Sequence, residues 1–229
     1  GYPYLNIHIA SDEIWQKQLN TDENMYTKYG YSSDYEYLKL INFCGIRREI
    51  LVKCGLPSFT KEWQKKINQM LGKLIHTESD YYVLIMQQFN YRINEVQLCE
   101  LIKEFSKELS ESKLYIITHV SNERLTNGIV SAVSKSSNVE ITNKHYRQMI
   151  DNARGVFNIS SSAGLAFIGM EKPFFDLSWI CSNLTIFETI ENDCKNAVDI
   201  IKRVKRTRES KSYKERLINK YSQLKSEYI

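Results

Sequence analysis

Three consecutive serines, Ser160, Ser161 and Ser162, form the segment whose residue types best fit a chemical role. They follow an apolar, β-branched run and precede Ala163 and Gly164, whose small side chains let a ligand approach the backbone. The pattern predicts a buried strand, a hydroxyl-rich turn and the first turn of a helix. Free backbone N–H groups and a helix dipole attract anions at such a position. The segment therefore predicts a phosphate or nucleotide site, with an ordinary helix cap as the structural alternative.

Other polar residues are predicted at the same edge of the structure. In open α/β sheets, ligands bind outside the carboxyl ends of the strands. Besides the serines, the polar residues predicted there are Gln87, Gln88, Thr118, His119, Asn143, Lys144 and Asp176. Most of them are neutral or basic, which suits an anionic ligand such as a nucleotide. A histidine at position 119 can donate to a phosphate oxygen, the alternative being a histidine satisfied by its surroundings.

Several common catalytic motifs are absent from the sequence. It contains no Walker A motif, no G-x-G-x-x-G, no H-E-x-x-H and no G-x-S-x-G elbow, which argues against NTPases, simple dinucleotide enzymes, zincins and serine hydrolases. The 5 cysteines include no C-x-x-C pair and indicate reduced thiols, not a disulfide framework or a zinc site. No cluster of Asp residues offers metal ligands, so we expect neither a metal nor a cofactor.

Strand and helix patterns alternate from about residue 75 to residue 180. Apolar runs predict strands at 81–87, 113–120 and 138–142, and the serine segment supplies a fourth strand before its helix and a fifth after it. An amphipathic helix with a 3.6-residue period separates the first two strands, and 146–153 predicts a short helix. This alternation predicts an α/β fold with a doubly wound, mainly parallel, Rossmann-like sheet. Two further apolar stripes predict a helical C-terminus.

The patterns divide the sequence into three parts. Residues 1–58 predict a strand at 4–10, a helix at 37–43 and a strand at 49–54, which fits a remnant or tail end of an N-terminal α/β domain. We therefore expect an N-terminal portion that this chain lacks. Residues 59–73 predict a linker helix, and residues 74–229 predict a Rossmann-like nucleotide-binding domain with a basic helical tail.

Charge is distributed unevenly along the chain. The net charge is +4, yet residues 201–229 hold ten Lys and Arg against three Glu. A solvated helix face is the ordinary explanation, and contact of residues 202–220 with anionic lipid head groups is the functional one. No aromatic residues interleave with the basic run 202–208, so nucleic acid is not an expected partner. No apolar run approaches ~20 residues and no signal segment opens the chain, which predicts a cytoplasmic protein. The lipid contact, as the functional alternative, would place it peripherally at the inner face of the membrane.

Four segments occur together in a pattern known from one enzyme class: ILVKCGLPS (50–58), YVLIMQQ (82–88), LYIITH (114–119) and FNISSSAGLAFIGMEKP (157–173). The pattern resembles GT-B glycosyltransferases of capsule and lipopolysaccharide synthesis, especially those that use CMP-activated sugars of the Kdo or sialic acid type. CDP-glycerol transferases are similar. The resemblance implies the C-terminal half of a GT-B fold. It also implies a glycosyltransferase, or its donor-binding portion, that transfers a sugar from a CMP-linked donor to a bacterial surface glycan or glycolipid.

The resemblance also implies roles for particular residues. In those families the histidine of a His-Pro motif and a Ser-Ser/Thr pair contact the donor phosphate and cytidine, and these correspond to His119 and Ser161-Ser162. Together with the residues predicted from the serine turn and the strand ends, the expected nucleotide site comprises Gln88, His119, Ser160, Ser161, Ser162 and Gly164. His119 is followed here by Val120 in place of Pro.

The catalytic acid is expected from the N-terminal domain in this group. Asp12 and Glu13, predicted at a strand end, are the candidates in the N-terminal piece, and solvated helix-start residues are the alternative. His119 completes the expected catalytic set by neutralising charge on the departing nucleotide.

The sequence is also compatible with two other functions. Nucleotide-sugar 2-epimerases resemble the chain in the serine turn but usually carry two Glu after it, where this sequence has Leu165 and Ala166. A non-catalytic α/β module that binds a partner through its basic tail is the third alternative.

Overall fold

Two parallel sheets organise this protein in a computed structural model, which describes residues 29–31, 34–42, 46–55, 60–71, 80–86, 93–117, 125–181 and 196–221. The smaller sheet pairs β1 (Tyr29–Tyr31) with β2 (Leu51–Lys53) in parallel, and helix α1 (Asp34–Asn42) lies between them in the chain. The strand predicted at 4–10 lies outside the described residues.

The larger sheet contains five strands. They are β3 (Tyr81–Met86), β4 (Lys113–Ile117), β5 (Val139–Thr142), β6 (Ala153–Ile159) and β7 (Phe174–Asp176). All are parallel and their spatial order is β5-β4-β3-β6-β7. The chain adds strands on one side of β3 and then returns to add β6 and β7 on the other, as in doubly wound Rossmann-like sheets. The predicted fold class is therefore confirmed, and the strand order reverses between β3 and β6.

Seven helices accompany this sheet in the described part of the chain. They are α2 (Lys61–Leu71), α3 (Glu95–Glu108), α4 (Asn127–Ser134), α5 (Tyr146–Met149), α6 (Gly164–Gly169), α7 (Ala197–Glu209) and α8 (Lys211–Lys220). Side chains of Asn94, Asn196 and Ser210 cap α3, α7 and α8, which fixes where these helices begin. Among the described helices, none has the length and apolar character required to cross a membrane.

Several predicted boundaries were wrong. The short helix predicted at 146–153 ends at Met149, because β6 already begins at Ala153, which pairs with Tyr81 of β3. Residues 48–50 form a 3-10 turn, so the predicted strand 49–54 contracts to β2. Helix α4 was not predicted, because its eight residues include a glycine and its exposed face includes the apolar Val130.

The core lies on both faces of the five-stranded sheet. All six residues of β3 are buried, as expected for a central parallel strand. An aromatic cluster of Tyr82, Phe105, Phe157 and Phe175 joins the sheet to α3, with ring centroids 5.2–6.4 Å apart. Every residue of α6 is buried, so this helix is rigidly held against the sheet.

The predicted linker helix packs against segments that flank the larger sheet. Gln64 of α2 donates to the backbone oxygen of Arg147 over 2.9 Å, and Asn68 donates to the carboxylate of Asp151. Lys61 forms an ion pair of 2.7 Å with Glu171. These contacts place α2 beside α5, while the division of the chain at residues 58 and 73 stays a prediction.

Candidate functional site

The serine segment lies where the strand order of the larger sheet reverses. Ile159, the last residue of β6, pairs with Met86, the last residue of β3, and Ser160 follows directly. Crevices at such a reversal, outside the carboxyl ends of the strands, are where open α/β sheets bind ligands. The structure therefore places the three predicted serines at the position that the fold makes available to a ligand.

The backbone of residues 160–163, which we name the serine loop, presents free donors. Ser160 has φ of 55°, and two turn bonds follow, from Gly164 N to Ser161 O (3.0 Å) and from Leu165 N to Ser162 O (3.1 Å). No group in the described chain accepts a hydrogen bond from the N–H of Ser161, Ser162 or Ala163. Successive free N–H groups in such a turn form an anion-binding concavity.

The serine loop attracts anions through these N–H groups more than through a helix dipole. Helix α6 has only six residues, so few peptide dipoles are aligned behind it. Ser162 is exposed and Ser161 half-buried, so the free donors lie within reach of a ligand.

Buried polar atoms without partners surround the loop. Both amide atoms of Asn158, the Ser160 hydroxyl and the Trp179 indole nitrogen account for four of the six such atoms in the described residues. Asn158 is fully buried near the end of β6, and Trp179 follows β7. Leaving a buried polar group unpaired costs roughly 1–3 kcal/mol. Asn158, Ser160 and Trp179 all have such unpaired groups at one edge of the sheet. This indicates a place where a ligand or water completes their hydrogen bonds.

Gly164 has a packing role in this arrangement. A Cβ at this position would lie 2.7 Å from the Phe174 ring and 2.9 Å from Cγ of Asn158. The absence of a side chain lets the start of α6 pack directly over Asn158, which keeps the serine loop close to the end of β6.

The other predicted edge residues are dispersed. Asp176 ends β7 beside Asn158 and accepts hydrogen bonds from the backbone N–H (3.0 Å) and hydroxyl (2.7 Å) of Ser178. Asn143 and Lys144 follow β5, three inter-strand spacings from β6, or roughly 14 Å. The structure therefore brings Asp176 to the serine loop and leaves the other two at the periphery.

The remaining predicted site residues are not located by the structure. Asp12, Glu13, Gln88 and His119 lie outside the described residues, as do Gln87 and Thr118. Their roles stay predictions. Within the described ranges, no group of three or more His, Cys, Asp or Glu side chains is arranged to hold a metal ion.

Two residues of the candidate site were missed by the sequence prediction. Asn158 is a polar residue inside the apolar run of β6, and that interruption was a usable signal. Trp179 gave no local signal, because its unpaired nitrogen follows from the tertiary packing of the segment after β7.

Solved structures of two kinds share this fold. UDP-GlcNAc 2-epimerase from Neisseria meningitidis, bound to UDP-GlcNAc, has a TM-score of 0.61 at 12% identity, with 86% of this chain and 57% of that chain covered. The wall teichoic acid polymerase TagF has a TM-score of 0.59 at 11% identity, with coverage of 95% and 58%. The fold is GT-B-like. A glycosyltransferase from Rickettsia africae also has a similar fold, with a TM-score of 0.51 at 14% identity, and the match covers 99% of this chain and 64% of that chain.

These likenesses establish the fold alone. The chain covers between 57% and 64% of the three solved chains, so it spans less than two thirds of their length. No protein-family model and no curated protein sequence matches it.

Proposed function

We propose that this chain forms the donor-binding portion of a glycosyltransferase that uses a nucleotide-activated sugar. The observation that supports this most is the serine loop, with its three free N–H groups above the unpaired Asn158 and Ser160 side chains. Such a loop suits the phosphate of a nucleotide donor. The GT-B-like fold supports the same function, since solved chains with this fold include the polymerase TagF and a glycosyltransferase.

In this proposal the serine loop holds the donor phosphate. Charge develops on the phosphate as the bond to the sugar breaks, and fixed N–H donors stabilise it without reorganising. The predicted His119 would add a donor from the end of β4, and the predicted Asp12 or Glu13 would activate the acceptor hydroxyl. The proposal includes no metal or other cofactor, and full activity in excess chelator is the result expected.

The donor is proposed to be cytidine-linked and the acceptor a bacterial surface glycan or glycolipid. The sequence resemblance supports both, and a TagF structure soaked with CDPG is among the structural neighbours. We also propose peripheral contact with an anionic membrane through residues 202–220, since helices α7 and α8 carry most of the basic excess.

Calorimetric titration with CMP, CDP, UDP and GDP tests the donor site. The Ser161–Gly164 turn places Ser162 at its second position, where proline is favoured, so Ser162→Pro removes one free N–H without breaking an intrachain bond. Loss of a hydrogen bond to a charged group weakens binding roughly tenfold to 100-fold. The matched variant Ser162→Ala keeps the N–H and should bind almost normally.

Three results would contradict the proposal. Equal binding by both Ser162 variants would mean that the loop N–H groups do not hold the phosphate. A preference for uridine or guanosine nucleotides would remove the cytidine assignment. No binding of any nucleotide would favour the non-catalytic module.

A nucleotide-sugar 2-epimerase is the second candidate. The epimerases from N. meningitidis and Listeria monocytogenes have TM-scores of 0.61 and 0.62 with this chain. Against this function, the two positions after the serine turn hold Leu165 and Ala166, both buried and apolar. Conversion of UDP-GlcNAc to its 2-epimer by the purified protein would establish this alternative.

A further inference from the structure

A basic cavity lies at the opposite edge of the larger sheet from the serine loop. Its volume is about 280 Å³, and it is lined by Tyr82, Arg154, Pro173, Thr207, Arg208, Lys211 and Lys214. Tyr82 and Arg154 are the second residues of β3 and β6, and Pro173 directly precedes β7, so the cavity lies at the amino-terminal ends of the strands. Strand β6 has seven residues, which separates the two edges by roughly 20 Å. A ligand here is therefore distinct from a donor on the serine loop.

The charges that line this basic cavity are incompletely neutralised. Arg154 pairs with Asp80 over 2.6 Å. Arg208 and Lys211 face Glu111 and Glu215 only at 4.0 Å, and those two acidic side chains are 86% and 58% exposed. Exposed pairs at this distance contribute little and are screened by salt. No acidic side chain in the described ranges pairs with Lys214.

The cations converge from three separate elements. Arg154 comes from β6, Arg208 from the end of α7, and Lys211 and Lys214 from the first turn of α8. Lys172 is also near: burial lowers the pKa of its ammonium group, the charge of Asp151 raises that pKa, and the charge of Lys214 lowers it. Cations gathered from several elements repel one another, and an anion within the cavity relieves that repulsion.

Polar groups at the floor of the cavity are rigid. Tyr82 is 1% exposed and its hydroxyl is hydrogen-bonded to Thr207, whose own hydroxyl donates to the backbone oxygen of Val204 over 2.7 Å. Burial raises the pKa of Tyr82, so the phenol stays protonated. The space exceeds the roughly 30 Å³ of a liquid water several-fold.

We propose that this basic cavity binds a phosphate monoester, through Arg154, Arg208, Lys211 and Lys214. A monoester carries close to two negative charges at neutral pH and three terminal oxygens, which suits four cations from different directions. A carboxylate has one negative charge and two oxygens, so it would offset less of the repulsion between the four cations. The source is either a soluble phosphate ester or a lipid head group that ends in a phosphate monoester.

Two double variants with equal loss of charge test the site. Lys211→Gln with Lys214→Gln removes two lining cations, whereas Lys202→Gln with Arg216→Gln removes two from the same basic segment outside the cavity. All four residues are exposed, so both variants should fold. The probes are inorganic phosphate, measured by calorimetry, and phosphatidylcholine vesicles that contain either phosphatidic acid, a monoester, or phosphatidylglycerol, a diester, at equal net charge.

The lining variant should bind inorganic phosphate about tenfold more weakly or worse, and the control should bind like the wild type. Preference for phosphatidic acid vesicles, lost in the lining variant alone, would identify the lipid as the source. Phosphate binding without vesicle binding would identify a soluble ester. Equal loss in both variants, measurable and equal binding to both kinds of vesicle, or no binding of either phosphate or vesicles would overturn the proposal. Affinity for CDP should stay unchanged in both variants, which separates this site from the donor site.

Discussion

The two edges of the larger sheet would attract an anion through different groups. At the carboxyl edge, the serine loop offers backbone N–H groups and unpaired buried side chains, and Asp176 ends the neighbouring strand β7. At the amino edge, the basic cavity offers four cations over a hydroxyl pair that is already hydrogen-bonded. The first edge attracts an anion through polar groups that lack partners, and the second through positive charges that are only partly neutralised. Salt should therefore weaken binding at the amino edge far more than at the carboxyl edge.

The largest effect is expected from Asn158→Leu, which removes the unpaired amide while nearly keeping its shape. Nucleotide binding should fall at least about tenfold, because a buried donor and acceptor are lost. The free energy of unfolding without ligand should instead rise, by roughly 1–3 kcal/mol, since an apolar side chain carries no unpaired polar group there. Calorimetry and urea unfolding measure the two quantities. A variant that is less stable and still binds would show that Asn158 serves the core.

Gly164→Ala should destabilise the carboxyl edge by roughly 1–3 kcal/mol, because the added methyl meets the Phe174 ring at 2.7 Å and Asn158 Cγ at 2.9 Å. The matched control is Gly128→Ala in α4, where the added Cβ meets only the flexible end of Glu95. Alanine there should be neutral or stabilise the helix by up to about 1 kcal/mol. Urea denaturation of both variants checks the contrast, and equal destabilisation would contradict close packing at residue 164.

Tyr82→Phe tests the amino edge, and its expected effect on the free energy of unfolding is opposite to that of Asn158→Leu. The Tyr82 hydroxyl has a partner in Thr207, so its removal should lower the free energy of unfolding by about 1 kcal/mol. Nucleotide affinity should be unchanged, because the residue lies near the far end of β3 from the serine loop. A stability gain in this variant would mean that the hydroxyl, like Asn158, lacks a satisfying partner.

The sequence predicted the sheet well where burial dominates. The run that forms β3 is continuously apolar, the run of β4 is apolar after Lys113, and α3 has a clear amphipathic period, so local pattern and tertiary structure agree. Helix α4 is only eight residues long, so although Ile129, Ala132 and Val133 are buried at helical spacing, its pattern is too short to identify a helix from the sequence.

The two edges were predicted unequally. The serine loop was predicted because its residue types lie next to one another in the sequence. The basic cavity was not, because Arg154 and Arg208 are distant in the chain and only the fold brings them together. Basic charge at 202–208 was evident from composition, but which side chains line a cavity depends on how α7 meets β6.

The smallest expected change in stability concerns His145, a titratable residue that caps the N-terminus of α5 on the carboxyl side of the sheet. Its Nδ1 accepts a hydrogen bond from the backbone N–H of Arg147 (3.3 Å), and burial, with the charge of Arg147, lowers the pKa of the imidazole. The unfolded chain therefore binds a proton more readily, so the stability due to neutral His145 is present above about pH 6.5 and is lost as pH falls through the lower folded pKa. His145→Asn keeps a good N-cap and cannot titrate. Urea unfolding at pH 7.5 and 5.5 should show a smaller loss of stability on acidification in this variant than in the wild type. An equal loss would mean that protonation of His145 contributes little to the loss of stability, and that acid sensitivity arises elsewhere in the protein.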